Sequence, residues 1–156
     1  MRRLTRVLVG ALFVTGFVVM WSARSDRDVA VAQGRKPILM TRIYTGADGL
    51  SHAEDVEMTL SGNGTAEMKA TSVEFSRRPP APASDWHVGP RRQFVITLSG
   101  RAEIEVAGGK KVPIGPGHIN LIEDTTGKGH ITHNLGPEDR IVVTIPLADQ
   151  TVGPRR

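Results

Sequence analysis

The sequence has no cysteine. That excludes a disulfide framework and any thiolate metal site, so a bound metal would need imidazole, carboxylate or amide oxygen. It also leaves the redox compartment unmarked. Aromatic residues are scarce, with two Trp, one Tyr and four Phe. A basic domain that binds nucleic acid needs a stripe of charge interleaved with aromatics. Here Lys and Arg cluster only as the pairs Arg77-Arg78, Arg91-Arg92 and Lys110-Lys111, and nucleic acid is set aside as a partner. After residue 33 no stretch keeps a helical period. No Ser-His-Asp arrangement and no pair of carboxylates facing one cleft stands out, and Gly127-Lys128-Gly129 lacks the spacing of a P-loop. No catalytic residue and no organic cofactor is assigned.

What is present is turn chemistry and short apolar runs. Gly 17 and Pro 10 in 156 residues favour many turns and short strands, and the length suits one domain. The formal charge of +4 is concentrated at the start. Before Gln33 there are five Arg against two Asp; the remainder carries 15 Lys+Arg and 14 Asp+Glu.

Met1 to Arg6 is a basic head, and Val7 to Ala23 is almost unbroken apolar sequence. Arg24 to Asp28 is charged, and Ala30-Val31-Ala32 places small residues where a signal peptidase cuts. The pattern predicts a signal peptide over 1–32 cleaved before Gln33 and export to a bacterial periplasm. Left uncleaved, the run becomes an inner-membrane anchor, although 17 apolar residues fall short of the roughly 20 that a spanning helix wants. Contact with a membrane is expected only through this segment.

Residues 33–36 read as a linker, 37–147 as the folded domain and 148–156 as a flexible tail. Strands are expected over Pro37–Thr45, Val56–Leu60, Thr65–Ala70 and Thr71–Ser76, with Gly62-Asn63-Gly64 as a hairpin turn. Three prolines in Arg77 to Ser84 predict an exposed loop. Gln93 to Leu98 alternates strictly, with Phe94, Ile96 and Leu98 on one face and Gln93, Val95 and Thr97 on the other. Arg101 to Val106 alternates again. Short strands follow at Lys111–Ile114, Ile119–Ile122, His130–Asn134 and Arg140–Leu147. Many short strands with dense turns predict an all-β sandwich or barrel.

Four of the five histidines, His87, His118, His130 and His133, fall between Asp85 and Asn134. This stretch resembles the cupins, specifically small single-domain bacterial RmlC-like cupins of unassigned function. Their first motif is G-x5-H-x-H-x3-4-E-x6-G. His87, then Gln93, then Gly100 follow its spacing, with Gly89 at the second His, Gln93 at the Glu and Ala81 at the leading Gly. The second motif is G-x5-P-x-G-x2-H-x3-N. Gly127, His130 and Asn134 fit its second half, with Thr125 in place of Pro and Gly117 two residues too far back for the leading Gly. The resemblance covers about residues 38 to 147. It implies a cupin-type double-stranded β-helix, or jelly-roll barrel, and the family often dimerises through an exposed sheet, which makes a homodimer the expected assembly.

The resemblance also implies a metal at the barrel mouth. Of the family's four ligands this chain keeps His87 and His130, and Gln93 offers an amide oxygen. His87, Gln93 and His130 are therefore the candidate ligands for Zn, Mn, Fe or Ni. A continuous strand would give residues 87, 89, 91 and 93 one parity. Arg91 is then a candidate clamp for a carboxylate, with Trp86 and Thr132 as further candidate ligand contacts. Each has a plainer role too. His87 beside Trp86 also fits a packed, hydrogen-bonded histidine, and Gln93 fits a group that satisfies backbone inside a barrel. His118 fits a solvated turn residue, Asp124 an Asx-type turn. His133 is out of phase with His130 and should face away. Two function classes fit: a metal-dependent isomerase, lyase or oxygenase acting on a small, carboxylate-bearing metabolite, and a non-catalytic small-ligand-binding module with a metal-free site.

Overall fold

Alternating apolar and polar residues make each strand two-faced, and the faces decide how the chain closes. The computed structural model describes residues 36–148. The apolar run, the cleavage position before Gln33 and the tail beyond Ala148 lie outside those residues.

Nine strands follow in order: β1 Leu39–Thr45, β2 Ser51–Glu57, β3 Glu74–Arg78, β4 Gln93–Ser99, β5 Arg101–Glu105, β6 Lys111–Ile114, β7 Ile119–Glu123, β8 Ile131–Leu135 and β9 Arg140–Pro146. They form a six-stranded sheet in the order β2-β1-β7-β4-β9-β3 and a three-stranded sheet in the order β6-β5-β8. All pairings are antiparallel except β1 with β7. The sheets share one apolar core of Ile43 and Ile122 from the large sheet with Ala102, Ile104, Val106, Val112 and Ile114 from the small one. The protein is all-β, with two facing sheets of jelly-roll type.

Val95 packs against that core and Phe94 against a second cluster with Met40, Leu121 and Leu147. The Gln93-Val95-Thr97 face of β4 is thus the interior one, and the more apolar face turns outward. Segment 65–70 covers part of that outer face, lining a cavity of about 340 Å³ with Phe94, Ile145 and Leu147.

Several boundaries differ from expectation. Residues 65–70 form no strand: only Ala70 bridges to Leu147, and Ser61 to Gly64 is an isolated bridge. β2 begins at Ser51 because β1 pairs with it along its whole length, from Thr45 opposite Ser51 to Leu39 opposite Glu57. β3 extends through Arg77 and Arg78, which β9 pairs at Ile141 and Arg140, so the proline loop starts after Arg78.

On the outer face Glu123 accepts hydrogen bonds from Arg42 and Arg92, tying β1 and the approach to β4 onto β7. Burial opposes ionisation of Glu123, but the two guanidinium hydrogen bonds outweigh it and hold the carboxyl below its ordinary value. A lowered folded value stabilises the protein above the unfolded carboxylate pKa of about 4.3. That contribution is lost as pH falls through the lower folded value. Urea denaturation of Glu123→Gln should show a loss on the order of 1 kcal/mol at pH 7 after solvent screening, shrinking at acid pH. An equal difference at pH 7 and pH 3 would exclude this role.

Candidate functional site

Gly129 takes φ +74, and a Cβ there would lie 2.0 Å from the His87 carbonyl oxygen. Only a glycine lets the chain before β8 pass so close to residue 87. The close approach forms a bridge in which His87 N–H donates to His130 O at 3.0 Å and His130 N–H donates to His87 O at 2.9 Å. The bridge is extended by Ser84, whose N–H donates to Thr132 O and whose Oγ accepts from Thr132 N–H at 2.8 Å. Two imidazoles are thereby set side by side, with ring centroids 4.5 Å apart and planes at 56°.

The rings differ in surroundings. His130 is 5% exposed and its Nδ1 lies 2.6 Å from Asp124 Oδ2, a carboxylate with no exposed surface. His87 is exposed, and its Nδ1 lies 2.9 Å from the Asp85 carbonyl oxygen and 3.3 Å from Ser84 Oγ. A carbonyl or carboxylate oxygen accepts, so Nδ1 is the donor in both rings. Nε2 is then the lone-pair nitrogen of the neutral imidazole. A carboxylate or carbonyl behind Nδ1 is the usual outer partner of a metal-binding histidine.

The structure brings together only some of the candidates. His87, His130 and Thr132 come together on the bridged ribbon. Trp86 is at its rim, half-buried, with Lys128 Nζ 3.8 Å from its ring centroid. Gln93 is buried at the start of β4, on the interior face and opposite Ile122. Arg91 lies outside β4. The expected continuous strand from 87 to 93 is broken, because residues 88–92 form no ladder, β4 begins at Gln93 and Arg91 is exposed. His133 turns to the other side of β8 and pairs with Glu105 at 2.9 Å. His118 is half-buried rather than solvated, and burial lowers its pKa.

Gly89 marks the departure from the family's ligand set. A Cβ there would lie 2.5 Å from Ile122 Cγ2 and 3.5 Å from Asp124 Oδ1. The space that a second histidine would occupy is filled by the Ile122 side chain. Among the described residues no three His, Cys, Asp or Glu converge on one point. A divalent ion therefore has two imidazole donors and needs the neutral amide of Gln93 as its third. That set fits a divalent ion in kind, though it is poorer than a site with a carboxylate ligand.

Asp124 is the residue that sequence reasoning missed. Read as a turn former, it is the buried partner of His130, and its Oδ1 has no hydrogen-bond partner. The signal available was an acid six residues before a motif histidine, separated from it by Gly127 and Gly129.

No protein-family model matches the chain, and no curated protein does. Several solved structures are similar. One is an RmlC-like cupin protein from Desulfovibrio desulfuricans, at 10% identity over 85% of this chain and 96% of that one, TM-score 0.36. Another is a putative ethanolamine utilization protein from Salmonella typhimurium, at 12% identity over 74% and 100%, TM-score 0.38. A third is the cupin domain of Schizosaccharomyces pombe Cnp3, at 11% identity over 76% and 88%, TM-score 0.36. Two of the three are described as cupins, and likeness at this level carries no activity or ligand across to this chain.

Proposed function

We propose that this chain is an exported cupin-like barrel that binds a divalent metal through His87, Gln93 and His130, and a small anionic ligand on it. The observation that carries the reading is the matched pair of imidazoles, each with Nδ1 committed to an oxygen and Nε2 left for a ligand. Bound there, a divalent ion would act as a Lewis acid toward a carboxylate or enolate oxygen. His87, His130 and Gln93 contribute no charge when neutral. Asp124, behind His130, offsets part of the ion's charge and leaves the mouth positive. An anion is therefore the favoured ligand, with Lys128 on Trp86 at the rim.

The second reading is a metal-free module in which the same polar groups hold a small ligand directly. The filled position at Gly89 favours it. Titrating Gln93→Glu with metal and with a panel of small carboxylates separates the two. On the metal reading the new carboxylate tightens metal binding and weakens the anion, because it cancels one unit of charge. On the metal-free reading it weakens the anion with no metal effect.

Export rests on the sequence at 1–32. Sequencing the N-terminus of protein from fractionated cells should give Gln33 in the periplasm. An intact Met1 in the membrane would make the segment an anchor, and an intact cytosolic product would overturn export.

A further inference from the structure

Arg140 is only 5% exposed, and its Nε has no hydrogen-bond partner. No ion pair forms on its guanidinium among the described residues. The residue directly across the ladder is another cation, Arg78. Asp139, next in sequence, is already held by Arg77. A buried charge without a counter-charge costs several kcal/mol, and like charges opposite one another on a sheet repel. Burial first, and then the Arg78 charge, lower the pKa of Arg140.

The surroundings are polar as well. Val142, two residues along on the same face, pairs with Ser76 on β3 and Thr97 on β4. Ser76 Oγ and Thr97 Oγ1 are both buried without a partner. Thr144 Oγ1, further along the interior face, and Asn134 Oδ1 on the facing sheet are unpartnered too. Thr97 and Thr144 are 0% and 7% exposed. Buried polar atoms almost always have partners, so those gathered at this end of the interior call for water or a bound ligand. The end is distinct from the histidine mouth. β4 runs from Gln93, at the mouth, to Thr97, and β8 runs from beside His130 to Asn134. Arg78, on the edge strand β3, is exposed, so solvent reaches this end beside it.

We infer that the end of the barrel remote from the histidines is a second binding site, taking a small oxyanion on Arg140 with Arg78, Ser76 and Thr97. A guanidinium offers paired donors to a phosphate or carboxylate, and each hydroxyl can donate one more hydrogen bond. The site does not depend on any metal at the mouth.

Thermal unfolding of the full chain at constant ionic strength, titrated with inorganic phosphate or with acetate, tests this. Wild type should show a saturable rise in Tm with at least one of the two, at a concentration where chloride gives none. Arg140→Met should weaken the apparent affinity about tenfold or more. Arg78→Ser, at an exposed position that leaves the fold intact, should weaken it severalfold. Adding a metal chelator should leave the response unchanged, which separates this end from any metal at the mouth. No saturable rise with either anion in wild type would overturn the proposal, as would an undiminished response in both arginine variants.

Discussion

Replacing Asp124 with alanine should damage both the fold and the mouth. The carboxylate has no exposed surface and holds His130 Nδ1 at 2.6 Å. Removing it leaves a buried imidazole N–H without its acceptor, a change that costs about 1–3 kcal/mol. If His130 binds a metal, losing the partner that orients its ring should also weaken that metal about 10–100-fold. Asp124→Asn keeps the shape and an accepting oxygen, so it should recover part of the stability. The backbone contact, Gly89 N–H to Asp124 O at 3.0 Å, persists in both variants. Urea denaturation and metal titration of the two variants measure the two effects separately. An Asp124→Ala protein as stable as wild type would show that the carboxylate is not a structural partner of His130.

Gly129→Ala should be at least as costly, for a steric reason. The new Cβ meets the His87 carbonyl oxygen at 2.0 Å and carbon at 2.3 Å, in a backbone conformation of φ +74 that side chains resist. Strain and overpacking together should cost about 2–5 kcal/mol. Because relief requires moving residue 87 away from residue 130, the two rings separate and metal binding should fall with stability. Gly117→Ala is the matched control. It has the same strained sign, φ +81, but nothing within 4 Å. It should cost about 1–2 kcal/mol and leave the mouth untouched. Equal losses in both variants would mean that the close approach at Gly129 has no role in the site.

The strands were legible where side chains alternate. Gln93 to Leu98 and Arg101 to Val106 predict β4 and β5 to within a residue, and Lys111–Ile114 matches β6. The failures have one physical source, in that local propensity does not say what a segment lies against. Residues 65–70 have strand composition but lie beside Phe94, Ile145 and Leu147. Arg77 and Arg78 read as loop, yet β9 supplies a ladder partner for each. At the mouth, the resemblance to the cupin motifs singled out His87 and His130, and their backbone pairing is seen in the bridge. The parity given to Arg91 holds only along an unbroken strand, and 88–92 is not one. Asp124 escaped notice because an acid before Thr-Thr-Gly is most simply a turn, and only the return of the chain at Gly129 brings His130 onto it. The Arg140 cluster escaped because a polar interior face looks, in sequence, like the solvent face of the same strand.

If His87 and His130 together hold a metal, isothermal titration of Zn, Mn, Fe and Ni salts should show one ion per chain in wild type and in His118→Ala. Binding should be lost in both His87→Ala and His130→Ala, since two remaining donors rarely hold a divalent ion. Metal affinity unchanged in both of those variants would contradict it and leave the metal-free binding module in its place.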